Sequence, residues 1–301
     1  MSASIERAGI AIDDTFAEAF GMKATRIIIT AATPAWAHQA AITATGFATS
    51  VIGCGCEAGI ERTLRPGSTP DARPGVSILL FAVSTKELEK QVERRVAQCI
   101  LTCPTTAAFA GITGEKSIGL GKSLRYFGDG WQMSKKLGGE RYWRVPVMDG
   151  EFLVQEKTGI VPAVGGGNLI IAAKSIESAL TATEAAVKAM RRLPNVIMPF
   201  PGGIVRSGSK VGSRYPALSA STNDAYCPTL RGATVSQLDE RSAAALEIVI
   251  DGLEDTDVAA AMRAGIGAIC ALGAASGITR ISAGNYGGKL GQFHFHLKDL
   301  L

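Results

Sequence analysis

Short apolar runs and longer stretches of helical periodicity alternate along this chain, and they do so twice in the same order. Residues 26–30 (RIIIT) read as a strand, and an alanine-rich helix follows over 34–44. Residues 48–53 are expected to return as a second strand before a Gly/Cys loop. The Pro/Arg/Gly loop 65–75 leads into 76–81, an uninterrupted apolar strand. Thr85 is placed to cap a helix over 86–101, with Leu88, Val92 and Val96 at helical spacing.

The second half repeats the pattern. Residues 169–173 (LIIAA) read as a strand, 175–192 as an amphipathic helix, and 196–198 as a strand entering the loop PFPGGIVRSGSKVGS, with a further strand near 203–206. Residues 246–250 form the next strand, Thr256 caps a helix over 257–272, and 279–282 close the unit. Two βαββαβ units, each a sheet with helices on one face, account for this order. Residues 125–163 alternate between Gly-punctuated segments and read as a β-meander joining two lobes, expected over 1–145 and 146–301.

Composition narrows the function. The chain has 301 residues, 31 Lys+Arg against 27 Asp+Glu, 47% hydrophobic residues and 35 glycines, which excludes disorder as the main state. A charge of +4 spread along the chain argues against nucleic acid as a partner. No apolar run is long enough for a membrane span and no secretory signal is visible, so the cytoplasm is the expected compartment. Six scattered cysteines do not make a disulfide scaffold, and Cys54-x-Cys56 and Cys99-x3-Cys103 lack metal-ligand spacing.

Familiar motifs fail. Gly119-Leu-Gly-Lys122-Ser123 resembles a phosphate loop, but Lys116 stands where its first glycine is required. Gly165–Gly167 precedes a strand rather than following one, so it is no dinucleotide fingerprint. His294 and His296 alternate onto one face, a geometry open to a metal or to an ordinary surface strand.

Glu247 is the informative residue. In ALEIVI, Leu246, Ile248 and Ile250 share one face, and Glu247 shares the other with Ala245 and Val249. It is either a solvated or salt-bridged edge carboxylate, or a partly desolvated acid whose raised pKa suits proton transfer near neutrality. Three Gly-rich stretches, PFPGGIVRSGSKVGS, STNDAYCPT and SAGNYGGKLG, combine exposed backbone with Ser, Asn and Lys donors, as loops that cradle a polar ligand or an oxyanion do.

These strings, with DTFAEAF at 14–20 and FGDG at 127–130, closely resemble the formylmethanofuran–tetrahydromethanopterin formyltransferase family from about Ile12 to the C-terminus. The resemblance implies an α+β fold of two ferredoxin-like lobes and a formyl transfer between the amine of a furan coenzyme (methanofuran or methylofuran) and N5 of tetrahydromethanopterin. It implies no metal and no prosthetic group, the two coenzymes being co-substrates. It makes Glu247 the catalytic proton donor and acceptor. Phe127, Gly128, Asp129, Ser209, Lys210, Ser213, Ser221, Thr222, Asn223, Asp224, Asn285 and Lys289 become candidate substrate contacts. The near-neutral charge favours the methylotroph branch, where the formyltransferase assembles with a hydrolase subunit and yields formate; a homo-oligomer is expected as well. Two other readings stand beside it: a non-catalytic scaffold subunit of that complex, and a metal-dependent hydrolase built on His294 and His296.

Overall fold

The RIIIT run is the end of a much longer strand. In the computed structural model, which describes residues 4–301, β1 (Ser4–Arg7) and β2 (Ile10–Asp13) precede β3 (Phe16–Thr30). Two compact units divide at 21/22 and at 163/164: residues 22–163 form one, and the residues up to Gly21 join 164–301 in the other. The boundary expected at 145/146 falls inside a strand.

Within 22–163, α1 (Pro34–Thr45) starts where Thr33 accepts a hydrogen bond from the Trp36 N–H. It buries Ala37, Ala40, Ala41 and Ala44 against the sheet. The strand expected over 48–53 does not form. Ser50 caps a one-turn helix α2 (Val51–Cys54) that Gly55 ends at φ 78°, and the strand comes later as β4 (Glu57–Leu64). β5 (Gly75–Ala82) is buried along its whole length, as its composition predicts. Ser84, not Thr85, caps α3 (Thr85–Arg95), which continues into one wider π-turn over Val96–Ile100. With β6 (Ala107–Ala110) the order across the sheet is β4-β5-β3-β6, the ferredoxin-like arrangement. Ile27, Ile29, Ile78 and Leu80 meet Leu88, Val92 and Ile100 in its core.

β7 (Lys116–Gly119) follows. The meander then runs through β8 (Met133–Leu137), β9 (Glu140–Val147), the strand that holds 145/146, and β10 (Gly150–Gln155), which lies parallel to β6. β11 (Lys157–Ala173) pairs first with β7 and then enters the second unit.

There the order is repeated by α4 (Ile176–Met190), β12 (Val196–Ile197), the hairpin β13 (Ser209–Val211) and β14 (Ala220–Thr222), then β15 (Ala244–Gly252), α5 (Asp255–Cys270) and β16 (Ile278–Ser282). Glu254 and Asp257 form the capping box of α5, in place of the expected Thr256. The sheet reads β12-β15-β11-β16, again ferredoxin-like. β2 extends it by lying parallel to β16, with β1 antiparallel beyond. β17 (Phe293–His296) pairs with the first residues of β3. Pairing of β2 with β16 is why residues 4–21 belong with the second unit.

Candidate active site

Alternation along β15 puts Leu246, Ile248 and Ile250 in the core, the latter two against α5 residues such as Met262 and Ile266, and turns Glu247 to the opposite face. That face is not bare. Residues from 205–208 and 222–227 close over it. Val205 exchanges backbone hydrogen bonds of 2.7 and 2.9 Å with Glu247, and this single bridge is all that forms of the strand expected over 203–206. Gly208 backs onto the carboxylate so closely that a Cβ there would lie 2.7 Å from Glu247 Oε2.

Val205, Arg206, Gly208, Thr222, Asn223, Tyr226, Cys227 and Ile170 enclose a cavity of about 40 Å³ at Glu247. Burial, with no compensating ion pair among the described residues, pushes the Glu247 pKa from 4.5 up to about 7. At neutrality the carboxyl can therefore both give and take a proton.

Tyr226 was not singled out from the sequence. Its hydroxyl donates to Ser282 Oγ at 3.1 Å. Ser282 is in register with Ile170, and Ile170 with Glu247, so all three side chains share one face of adjacent strands. The available signal was its place inside STNDAYCPT, where a phenol reads as ordinary packing until the loop is seen lying over β15.

The other candidates are scattered. Thr222 and Asn223 line the Glu247 cavity, where Thr222 Oγ1 lies 3.5 Å from Cys227 Sγ and the Asn223 N–H donates to Gly208 O. Lys210, Ser213, Ser221 and Asp224 line a neighbouring open cavity of about 700 Å³ that shares Thr222 with the first. Lys210 Nζ lies 2.7 Å from Asp224 Oδ2 and holds that carboxyl below its ordinary range. Ser213 accepts from the Tyr215 N–H, Ser221 donates to Gly212 O, and Ser209 is exposed on the β13 edge. Asn285 and Lys289 sit on the loop after β16. The Asn285 amide donates to Thr15 Oγ1 and Phe16 O and accepts from the Gly287 N–H, whereas Lys289 is exposed.

Phe127, Gly128 and Asp129 belong to the 22–163 unit. They end a 3₁₀ turn there, Phe127 exposed, Gly128 buried and Asp129 left-handed at φ 50°. His294 and His296 flank Phe16, with ring centroids 4.9 and 5.1 Å away. Among the described residues no group of three or more His, Cys, Asp or Glu side chains could hold a metal ion. None of their helices is long and apolar enough to cross a membrane.

Two ferredoxin-like lobes, with a half-buried strand carboxyl under Gly-rich loops, describe a class of transferase seen in comparisons with known proteins. Residues 5–147 match the family model "Formylmethanofuran-tetrahydromethanopterin formyltransferase", and residues 150–300 match its companion, "FTR, proximal lobe". The chain belongs to the formylmethanofuran-tetrahydromethanopterin formyltransferase family. It is 66% identical to the enzyme of that name from Methylococcus capsulatus, over 97% of this chain and 98% of the relative. Its fold matches a chain in the crystal structure of the formyltransferase/hydrolase complex from Methylorubrum extorquens in complex with methylofuran. That match has TM-score 0.97 and 53% identity, and covers 99% of both chains. The Methanosarcina barkeri formyltransferase superposes with TM-score 0.93 at 45% identity, covering 99% of this chain and 100% of that one.

Proposed function

We propose that this chain transfers a formyl group between the amine of a methanofuran-type coenzyme and N5 of tetrahydromethanopterin, by direct acyl transfer at Glu247. A formamide is a weak electrophile, because nitrogen donates into its carbonyl. The site must therefore align the attacking nitrogen with the formyl carbon and stabilise the oxyanion formed on attack. In the direction of pterin formylation, N5 adds to the formyl carbon, and Glu247 as carboxylate takes the N5 proton. The resulting carboxylic acid then protonates the furan-side nitrogen as the C–N bond breaks and the amine leaves. The reverse transfer uses the same groups. Thr222 and Asn223 are donors that line the cavity of this step, and the larger cavity beside them accommodates part of a co-substrate. The reading extends to assembly with a hydrolase-type subunit, as in the Methylorubrum extorquens formyltransferase/hydrolase complex, and to action in the cytoplasm.

The observation that carries this reading is a carboxyl held near pKa 7 by burial in a cavity roofed by Asn, Thr and Tyr side chains. Glu247→Gln preserves size and removes the titration. It should retain the fold and lose turnover by about two to four orders of magnitude. A folded Glu247→Gln variant with full activity across pH 5–9 would refute the proton role.

A further inference from the structure

Glu18 lies on β3 with 1% of its surface exposed, yet it is fully satisfied. Its Oε2 accepts the backbone N–H groups of Tyr286 (2.6 Å) and Gly288 (2.8 Å), and its Oε1 those of Leu290 (2.7 Å) and Gly291 (2.5 Å). Burial alone would raise its pKa, but these four bonds bring it down to about 2, so Glu18 stays ionised at every working pH. The four donors come from one loop, residues 283–292, which belongs to no strand. Gly287 and Gly288 turn the chain at φ +79° and +70°, so that the Gly288 N–H reaches Glu18 while the Gly287 N–H donates to Asn285 Oδ1. Gly291 leaves no room for a side chain, since a Cβ would lie 2.5 Å from Ala19 O and 2.7 Å from Glu18 Cγ. Asn168 clips the loop start by giving and receiving a hydrogen bond with the Gly284 backbone.

The clamped loop carries Tyr286, whose ring centroid lies 5.8 Å from that of Phe20 and which is 37% exposed. Burial raises the Tyr286 pKa, and the charges of Glu247 and Glu18 raise it further, so the phenol lies within the field of both carboxylates. The loop leaves β16 at Ser282, on the face of the sheet that Glu247 occupies and two strand spacings from it, or about 10 Å.

We propose that Glu18 is a positioning residue for formyl transfer: its carboxylate fixes the 283–292 loop as a wall of the Glu247 site and sets Tyr286 to contact a co-substrate. This rests on the function proposed above. A glutamine at 18 offers one acceptor oxygen and adds an NH₂ facing other N–H groups, so at least the bonds on one side of the carboxylate are lost.

The test measures amide hydrogen exchange and steady-state kinetics for both co-substrates in Glu18→Gln, Glu18→Asp, Tyr286→Ala and Glu247→Gln. Glu18→Gln should speed exchange of the 286, 288, 290 and 291 amides and raise KM for one co-substrate about tenfold or more, the loss of about one good hydrogen bond. The pH midpoint of turnover should not move, because Glu18 does not titrate there. Glu18→Asp, which keeps the charge, should recover part of both effects. Tyr286→Ala should raise the same KM with the loop amides still protected, a readout that does not depend on Glu18→Gln folding. Unchanged protection in Glu18→Gln, or fast exchange with unchanged KM, overturns the proposal, as does an unchanged KM in Tyr286→Ala. Glu247→Gln is expected to keep the loop protected. An active Glu247→Gln variant would remove the proton role while leaving the KM results to judge Glu18 separately.

Discussion

Glu247 should make its own unit, the one that contains residues 164–301, less stable at high pH, and the size of the effect follows from its burial. In the folded chain this carboxyl keeps its proton up to about pH 7, whereas in the unfolded chain it loses it near 4.5. Between those values the native state binds more protons than the unfolded state, so stability falls as pH rises. At about 1.4 kcal/mol per pH unit the loss amounts to roughly 3 kcal/mol, complete above pH 7 and absent below 4.5. Glu247→Gln cannot ionise, so relative to the natural chain it should gain up to about 3 kcal/mol between pH 4.5 and 8. Taking the difference between variant and natural chain at each pH cancels every effect that does not titrate at position 247. The measurement is amide hydrogen exchange in β15 under mild denaturant. Trp36, Trp131 and Trp143 all lie in the 22–163 unit, so tryptophan fluorescence would report on the wrong half. A stability difference between the two proteins that is the same at pH 4.5 and pH 8 would refute the reasoning.

Three further outcomes are expected. Gly208→Ala, which sets a methyl 2.7 Å from Glu247 Oε2, should cut turnover at least about tenfold with an unchanged far-UV circular dichroism spectrum. Gly159→Ala puts a Cβ 2.6 Å from Gly114 N and 2.7 Å from Ile112 O, both rigid backbone, and should cost about 1–3 kcal/mol in thermal melting. Glu61→Ala removes two bonds to Arg26 and one to Ser77 from a fully buried carboxylate. The buried guanidinium loses its counter-charge, a change worth about 3–5 kcal/mol that tryptophan fluorescence will follow.

Strands such as 76–81 and the face alternation of 246–250 are legible because burial on one or both faces leaves a direct hydrophobic pattern. The strand misplaced at 48–53 shows the limit. Those residues are apolar enough for a strand, but the Ser50 cap and Gly55 stop decide locally for a turn of helix. Glu247 stands out as a charge among apolar neighbours. Tyr226 and Glu18 do not, because their roles come from pairings with Ser282 and with residues 286–291 that no local pattern encodes. Asn285 shows the converse: a polar side chain in a Gly-rich loop, read as a ligand contact, has both ends of its amide engaged within the protein.

Synthesis order gives the discontinuous unit a folding schedule. Residues 22–163 have all their sheet partners once position 163 has left the ribosome, so this half can fold while translation continues. β2 must wait for β16, and Glu18 waits for N–H groups 268 to 273 positions downstream. The amino-terminal arm thus emerges first and docks among the last, its apolar Ile10 and Ile12 in need of shelter throughout. A nascent chain stalled just past residue 163 should therefore show a protected central half and a protease-sensitive leading arm.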